Sequence, residues 1–384
     1  MNEHKAVPNI RFNGFEDVWK SMKFKNILNY ERPDKYIVKS DNYSNNGIPV
    51  LTANKSFILG YTLESSFYEK PLPIIIFDDF TLDCKLVKFP FKIKSSAIKI
   101  LSSNNFSDIW FDFYLLKATS FIKEGHARHY ISIVQNKKIN VPDKQEQQKI
   151  GNFFAKLDKL LDLQQQKIDK LELLKKALLQ KLFPKHDSKV PELRFKGYDQ
   201  EWEEKKFSSL YKKCNEKNNL SFGSNKIISV ANMYYKKDNV KSDDNYMRTY
   251  NIFRLGDIAF EGNKSKKFTF GRFVENTIGD GIVSHVFEVF RPISNGDITY
   301  WKYAIHNEDF IAPVLMKSTV KATMMNNLIA KDFLKQQVPV PQLSEQQKIG
   351  NLLSKVDQLI ELENRKLQNL QQVKKCLLQN MFVE

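Results

Sequence analysis

After Val141-Pro142 the apolar positions Ile150, Phe153, Phe154, Leu157, Leu161, Ile168, Leu171, Leu174, Leu178 and Leu182 step by three and four, the spacing of one helical face. After Val340-Pro341 an equivalent stripe follows: Ile349, Leu352, Leu353, Val356, Ile360, Leu367, Leu370, Val373, Leu377 and Met381. Gln164 and Glu363 interrupt the two stripes at the same place. Each stripe predicts a helix of ~30 residues, about 45 Å long at 1.5 Å per residue, with a seam to bury against its copy. Elsewhere the apolar runs are short and β-prone: Ile74–Phe77, Phe89–Ile93, Ile227–Val230, Asp257–Phe260 and Val283–Phe290, separated by turn-rich loops. Each of these regions reads as an α+β domain with a strongly curved sheet.

The helices belong to a larger repeat, which fixes architecture before any residue receives a role. Val7-Pro8-Asn9-Ile10-Arg11-Phe12-Asn13-Gly14-Phe15 with Trp19 returns as Val190-Pro191-Glu192-Leu193-Arg194-Phe195-Lys196-Gly197-Tyr198 with Trp202. The block from Val141-Pro142 through Glu146-Gln147-Gln148-Lys149-Ile150-Gly151-Asn152 to Phe183 returns from Val340-Pro341 through Glu345-Gln346-Gln347-Lys348-Ile349-Gly350-Asn351 to Phe382. The enclosed segments, about 20 to 140 and 205 to 338, share no comparable similarity. One framework is used twice and carries two different inserts, and the polar stretch Phe183-Pro184-Lys185-His186-Asp187-Ser188 separates the copies. A pseudo-twofold relation between the copies would run the helices antiparallel and hold the inserts at opposite ends of a rod, a ruler.

Composition narrows the partners. The net charge of +16, from 60 Lys and Arg against 44 Asp and Glu, is spread along the chain and suits a polyanion. Cys84, Cys214 and Cys376 are far apart and never form a CxxC pair, so neither a disulfide framework nor a zinc ribbon is expected. No apolar stretch reaches the ~18 residues of a membrane helix, and Met1-Asn2-Glu3-His4-Lys5 does not open a signal peptide, so a soluble cytoplasmic protein is expected.

The motifs of catalysis are missing from the sequence. There is no GxxxxGK[ST] phosphate loop, no glycine-rich cofactor turn, and no Asn-Pro-Pro-Tyr or Asp-Pro-Pro-Tyr segment; Asn232-Met233-Tyr234-Tyr235 lacks the prolines that would shape one. Asp78-Asp79-Phe80-Thr81-Leu82-Asp83-Cys84-Lys85 contains an Asp-x-Lys like that of a metal-dependent nuclease, but the second insert offers no counterpart. A turn between strands with Asp capping is expected there. His126 and His129 lie three apart with no Cys or further His nearby, which favours phosphate contact or simple exposure over a metal.

Reading DNA needs polar side chains at base edges and Lys or Arg at phosphates. Basic and aromatic residues mix in Phe121–Tyr130, which supplies Lys123, His126, Arg128 and His129, and the corresponding stretch of the second insert supplies Lys317, Thr319 and Lys321. Gly262–Arg272 is a glycine-bounded loop holding Lys264, Lys266, Lys267 and Arg272, with Lys55 in Thr52-Ala53-Asn54-Lys55-Ser56 read as its counterpart.

This arrangement resembles the specificity subunits of type I restriction-modification systems over essentially the whole chain. The paired Val-Pro-x-x-x-Glu-Gln-Gln-Lys-Ile-Gly-Asn at 141 to 152 and 340 to 351 carries most of the resemblance, supported by Arg-Phe-x-Gly-Phe/Tyr at 11 to 15 and 194 to 198. Ile76–Thr81 and Arg254–Ile258 also look like segments of the family's recognition domains. The resemblance implies an α+β fold: two α/β target-recognition domains separated by two long antiparallel coiled-coil helices, in a pseudo-twofold tandem repeat. The recognition domains are expected at 1–140 and 185–339, and the spacer helices at 141–184 and 340–384. It further implies a non-catalytic subunit that binds a bipartite site in double-stranded DNA. Two methyltransferase and two restriction (motor-nuclease) subunits would assemble with it, and S-adenosylmethionine, ATP and Mg would reside on those partners rather than on this chain. Two rival classes remain from the residues themselves. A diverged single-chain DNA-modifying enzyme would show turnover by the isolated chain, and a coiled-coil scaffold for protein or RNA would lack salt-sensitive DNA affinity.

Overall fold

The stripes after Pro142 and Pro341 fold as two helices of 38 residues each, Lys144–Lys181 and Leu343–Asn380. The computed structural model describes residues 7–53, 56–122, 129–185, 188–236, 243–263, 265, 268–321 and 325–383. The chain divides into two units, residues 1–166 with 365–384 and residues 167–364. Each unit thus holds one insert, the start of the helix that follows it, and the end of the other helix.

In chain order the first insert and its helix comprise β1 (Lys20–Lys23), β2 (Leu28–Glu31), β3 (Ile48–Leu51), β4 (Ile58–Thr62), β5 (Ile74–Asp78), β6 (Cys84–Val87), β7 (Lys92–Ile93), β8 (Ile98–Ser103), α1 (Ile109–Ala118), α2 (His129–Ser132), β9 (Lys138–Val141) and α3 (Lys144–Lys181). The second comprises β10 (Glu203–Lys206), α4 (Phe207–Leu210), β11 (Tyr211–Cys214), β12 (Ile228–Ser229), β13 (Tyr234–Tyr235), α5 (Asp244–Met247), β14 (Asn251–Phe253), β15 (Ile258–Glu261), β16 (Arg272–Glu275), β17 (Gly281–Val283), β18 (Glu288–Pro292), α6 (Ile298–Ala304), α7 (Glu308–Ser318), β19 (Thr319–Lys321), β20 (Asn326–Leu328), α8 (Ala330–Lys335), β21 (Gln337–Val340) and α9 (Leu343–Asn380).

The inserts share a plan despite unrelated sequences. An antiparallel sheet ordered β2-β8-β5-β6 in the first unit matches β11-β18-β15-β16 in the second. The strand entering each insert pairs with the strand leaving it, β1 with β9 and β10 with β21. Instead of one strongly curved sheet, each unit has this sheet and smaller ones beside it, β4-β3-β7 in the first and β12-β13 and β14-β17 in the second. Short strands and a register shift at Val50/Leu51 limit how far any ladder continues. The apolar run Val283–Phe290 is divided as well: a turn in which Phe287 N–H donates to Ser284 O (3.1 Å) ends β17 and starts β18, which pair in different sheets.

The repeated framework residues build the same clasp twice. Arg11 donates from Nε and Nη2 to the two carboxylate oxygens of Glu146, at 2.8 Å each, and Arg194 does so to Glu345 at 2.8 and 3.0 Å. Glu146 and Glu345 are fully buried. Gln147 donates to Pro142 O and accepts from Asp108 N–H (3.0 Å), while Gln346 donates to Pro341 O and accepts from Asp297 N–H (3.0 Å). Asp108 and Asp297 in turn cap α1 and α6. Gly151 and Gly350 lie against those helix starts, where an added Cβ would come within 2.8 Å of Asp108 Oδ1 or Asp297 Oδ1. Lys149 sits over Phe12 and Phe15, and Lys348 over Phe195 and Tyr198.

Within each unit the two helices run antiparallel. In the first, Asp158 pairs with Lys374, and Phe382 packs on Phe111 and Phe154 with centroids 5.5 and 5.8 Å apart. In the second, Lys175 pairs with Asp357 (2.6 Å) and Lys167 with Glu363 (2.9 Å), while Phe183 stacks on Tyr300 at 5.6 Å. The stripes depart from expectation at Leu174 and Val373, which are half-exposed, because the neighbouring Lys175 and Lys374 turn to Asp357 and Asp158 instead. Among the described residues no helix is long and apolar enough to cross a membrane.

The clasp and one buried carboxyl each set a measurable stability. Glu146→Gln or Glu345→Gln leaves a guanidinium facing a neutral buried amide and should cost about 3 kcal/mol, read in the denaturant midpoint; a loss below about 0.5 kcal/mol would make the clasp dispensable. Asp112, buried in the first unit and accepting from the hydroxyls of Ser103 and Ser107, has its carboxyl pushed up to about 7 by burial, against those hydrogen bonds. The folded state therefore holds the proton more tightly than the unfolded chain. Its contribution to stability is full below the ordinary aspartate range, falls as pH rises toward 7, and is constant beyond. Asp112→Asn should flatten that decline in urea unfolding followed from pH 4 to 8.

Candidate nucleic-acid interface

In the second unit the β15–β16 loop is closed at its base by Arg272, whose Nε donates to Glu261 Oε2 at 2.6 Å and whose Nη2 donates to Ala231 O at 3.1 Å. Phe268 lies under the guanidinium, 5.2 Å from ring centroid to Cζ. The β19–β20 hairpin is pinned against this loop: Asn326 N–H donates to Gly262 O (2.8 Å) and Asn326 Nδ2 to Thr269 O (3.0 Å). The contact explains Gly262, where a Cβ would come within 2.1 Å of Asn326 O. Gly271 has φ +84°, the left-handed region that favours glycine. Two stretches far apart in sequence thus meet, with Lys321 exposed on the hairpin; Lys317, also exposed, is in the last turn of α7 and lines a separate cleft with Lys185, Lys189 and Glu204. Thr319 is half-buried and its hydroxyl donates to Leu315 O at 2.7 Å, while Arg272 is engaged by Glu261 and Ala231. Lys264, Lys266 and Lys267 lie outside the described residues.

The first unit repeats the arrangement with different chemistry. Its β5–β6 turn occupies the place of the β15–β16 loop, and the segment ahead of β9 is pinned to it. Tyr130 N–H donates to Asp79 Oδ1 (2.9 Å), and His129 Nδ1 lies 2.6 Å from Asp79 O. His129 is therefore not an exposed phosphate contact: it is buried, and its ring anchors α2 to the turn. Lys99 completes the anchor with a buried ion pair to Asp79 Oδ2 at 3.0 Å. Asp78 Oδ1 accepts from Phe80 and Thr81 N–H (2.8 and 2.9 Å), the capped turn expected in place of a nuclease site. The topological counterpart of the basic loop is thus this acidic turn and not Thr52–Ser56, which connects β3 and β4. Lys55, Lys123, His126 and Arg128 lie outside the described residues, but their neighbours Thr52, Ser56, Thr119 and Phe121 line one cleft of about 910 Å³, together with Thr81, Asp83 and Lys117.

An unbroken strand over Val283–Phe290 would conceal His285, which sits exposed on the β17–β18 turn. Its ring meets Tyr246 edge-on at 6.4 Å, and Nδ1 lies 3.4 Å from Thr249 Oγ1. Phe260 pairs with Glu288, so this turn lies beside the base of the β15–β16 loop. A polar His inside an apolar run is the signal of it in the sequence. Among the described residues no group of three or more His, Cys, Asp and Glu side chains could hold a metal ion.

Comparison with known proteins agrees with this two-unit plan. The family model for the type I restriction modification DNA specificity domain matches residues 16–173 and again 199–372. The type I restriction enzyme EcoR124I/EcoR124II specificity subunit of Escherichia coli is 38% identical over 156 residues, which span 39% of this chain and 38% of that protein. The type I restriction enzyme MjaVIII specificity subunit of Methanocaldococcus jannaschii is 23% identical over 323 residues, 74% of this chain and 72% of that one. The fold is that of the crystal structure of a type I restriction-modification system S subunit from M. genitalium, with a TM-score of 0.61 at 15% identity over 98% of this chain and 99% of that one.

The geometry separates two kinds of basic residue. Lys317→Gln or Lys321→Gln should weaken duplex binding evenly across sequences, and each lysine that meets a phosphate should take about 1 from the slope of log affinity against log salt when it is replaced. His129→Ala should leave that slope unchanged and lower stability instead. A change in slope with His129→Ala would contradict its anchoring role.

Proposed function

This chain belongs to the type I restriction modification DNA specificity domain family, and we propose that it is the DNA-binding specificity subunit of such a system, reading a bipartite target through two recognition domains. The observation that carries the reading is the pairing of one framework, clasp for clasp, with two inserts whose corresponding surfaces differ in charge and loop length. A framework held constant beneath two divergent surfaces suits two different half-sites. Recognition domains at 1–140 and 185–339 and spacer helices at 141–184 and 340–384 follow from this reading. The antiparallel spacer would set the gap between half-sites.

The chain would have no turnover of its own. Methyltransferase and restriction subunits would bring S-adenosylmethionine, ATP and Mg, and the complex would work in the cytoplasm. Two copies of each partner fit the repeat. Leu160 and Leu163 on α3 and their equivalents Leu359 and Leu362 on α9 are about half-exposed, so each repeat offers the same apolar pair to solvent.

Co-expression with methyltransferase subunits of a related system, followed by weighing the complex and mapping methylated adenines across a genome, tests the reading. The expected result is two methyltransferases per chain and a split motif with one modified adenine on each strand. An unsplit motif would overturn the two-domain reading, and an assembled complex without methylation would overturn the specificity role.

A further inference from the structure

We propose that Asp83 and Lys117 of the first unit read one base pair of its half-site: the Asp83 carboxylate accepts from the exocyclic amino group of a cytosine or adenine in the major groove, and Lys117 donates to the acceptor beside it. The inference rests on the DNA-reading function proposed above and names the side chains that would perform it.

Three observations converge. The pair lines a cleft together with Thr52, Ser56, Thr119 and Phe121, and Thr81, Leu82 and Asp83 bring to it the β5–β6 turn, the topological counterpart of the second unit's basic loop. Both side chains are held in place: Lys117 is in the last turn of α1, and Asp83, in the turn directly before β6, is fixed by its Oδ1 accepting from Cys84 N–H at 2.9 Å and from Lys117. Such placement fixes a donor and an acceptor side by side, as base readout requires. Finally, both are about one-third exposed, and Lys85 lies 4.0 Å from Asp83 Oδ2. A pair this exposed contributes little to folding.

Charge decides what the pair would face. Burial is the largest single influence on Asp83 and opposes its ionisation, yet the hydrogen bond and charge of Lys117, the charge of Lys85 and the Cys84 N–H together outweigh it and hold the carboxyl below the usual aspartate range, so Asp83 is an anion at neutral pH. An anion in a DNA-facing cleft is repelled by phosphates and suits a base edge with an amino donor. Major-groove edges present such a donor next to an acceptor: cytosine N4 beside guanine O6, or adenine N6 beside N7 or thymine O4. The corresponding place in the second unit is the basic loop, so the Asp83–Lys117 pair belongs to one half-site.

The test maps methylation by the assembled complex carrying wild-type chain, Asp83→Asn or Lys117→Gln. Each variant should relax discrimination about tenfold or more at one position of one half-site and leave the other half-site intact. Should Asp83→Asn fail to assemble, Lys117→Gln, which caps no strand, decides alone. Unchanged motifs in the variants beside a split wild-type motif overturn this proposal and leave the function standing. A wild-type complex with no split motif overturns both. If assembled variants lose methylation, binding to duplexes of many sequences decides: a uniform loss of affinity assigns the pair to the backbone and overturns base reading, and a loss confined to the cognate half-site supports it.

Discussion

The fold depends on a carboxylate that water cannot reach. Glu146 and Glu345 are buried at the first turn of each long helix, and an ionised carboxylate there is tolerated because a guanidinium meets it with two parallel hydrogen bonds. The arginine comes from more than a hundred residues upstream, so the bond closes each insert at its base. The strand pairs β1–β9 and β10–β21 lie at the same closure. Between the two ends of this closure the chain can change length and sequence without loosening the frame, which is how one framework carries two inserts with so little in common.

Four further letters of the Glu-Gln-Gln-Lys-Ile-Gly motif have a physical reason beside that bond. The first Gln bridges the prolyl carbonyl and the capped start of the preceding short helix, Lys lies over two aromatic rings of the upstream segment, Ile enters the core, and Gly lets two helices approach closer than a Cβ permits. The second Gln and the Asn are exposed in both copies. No contact among the described residues accounts for them.

The long-range pattern is legible in the sequence because helices and turns are local. The two long helices and the capped turn at Asp78 depend on neighbours within a few positions, and they stand in the structure where periodicity and spacing put them. What cannot be read depends on partners far along the chain. His129 looks like a surface histidine until Asp79, 50 positions upstream, takes its ring nitrogen. Leu174 and Val373 fit the apolar stripe, but Asp357 and Asp158 draw the adjacent lysines inward. Composition points to Thr52–Ser56 as the counterpart of the basic loop, whereas strand order assigns that place to an acidic turn.

That reassignment bears on how two half-sites can be read by one scaffold. Both units pin the segment before the framework strand onto the turn of the central hairpin, through Asp79 in one and Asn326 in the other. The pinning fixes where the surface is; the residues at the turn decide what it meets. The three lysines of the second unit's loop sequence suit a polyanion and would carry little sequence information, since phosphates are alike along the duplex. In the first unit's turn Asp78 and Asp79 are buried, and the part-exposed Asp83 carboxylate is repelled by phosphates and suits a base edge with an amino donor. Affinity and discrimination can therefore be weighted differently in the two units without any change to the frame. Because the clasp holds each insert in place, the part-exposed Asp83 of the turn can be exchanged at less cost to folding than the buried Asp78 and Asp79 beside it.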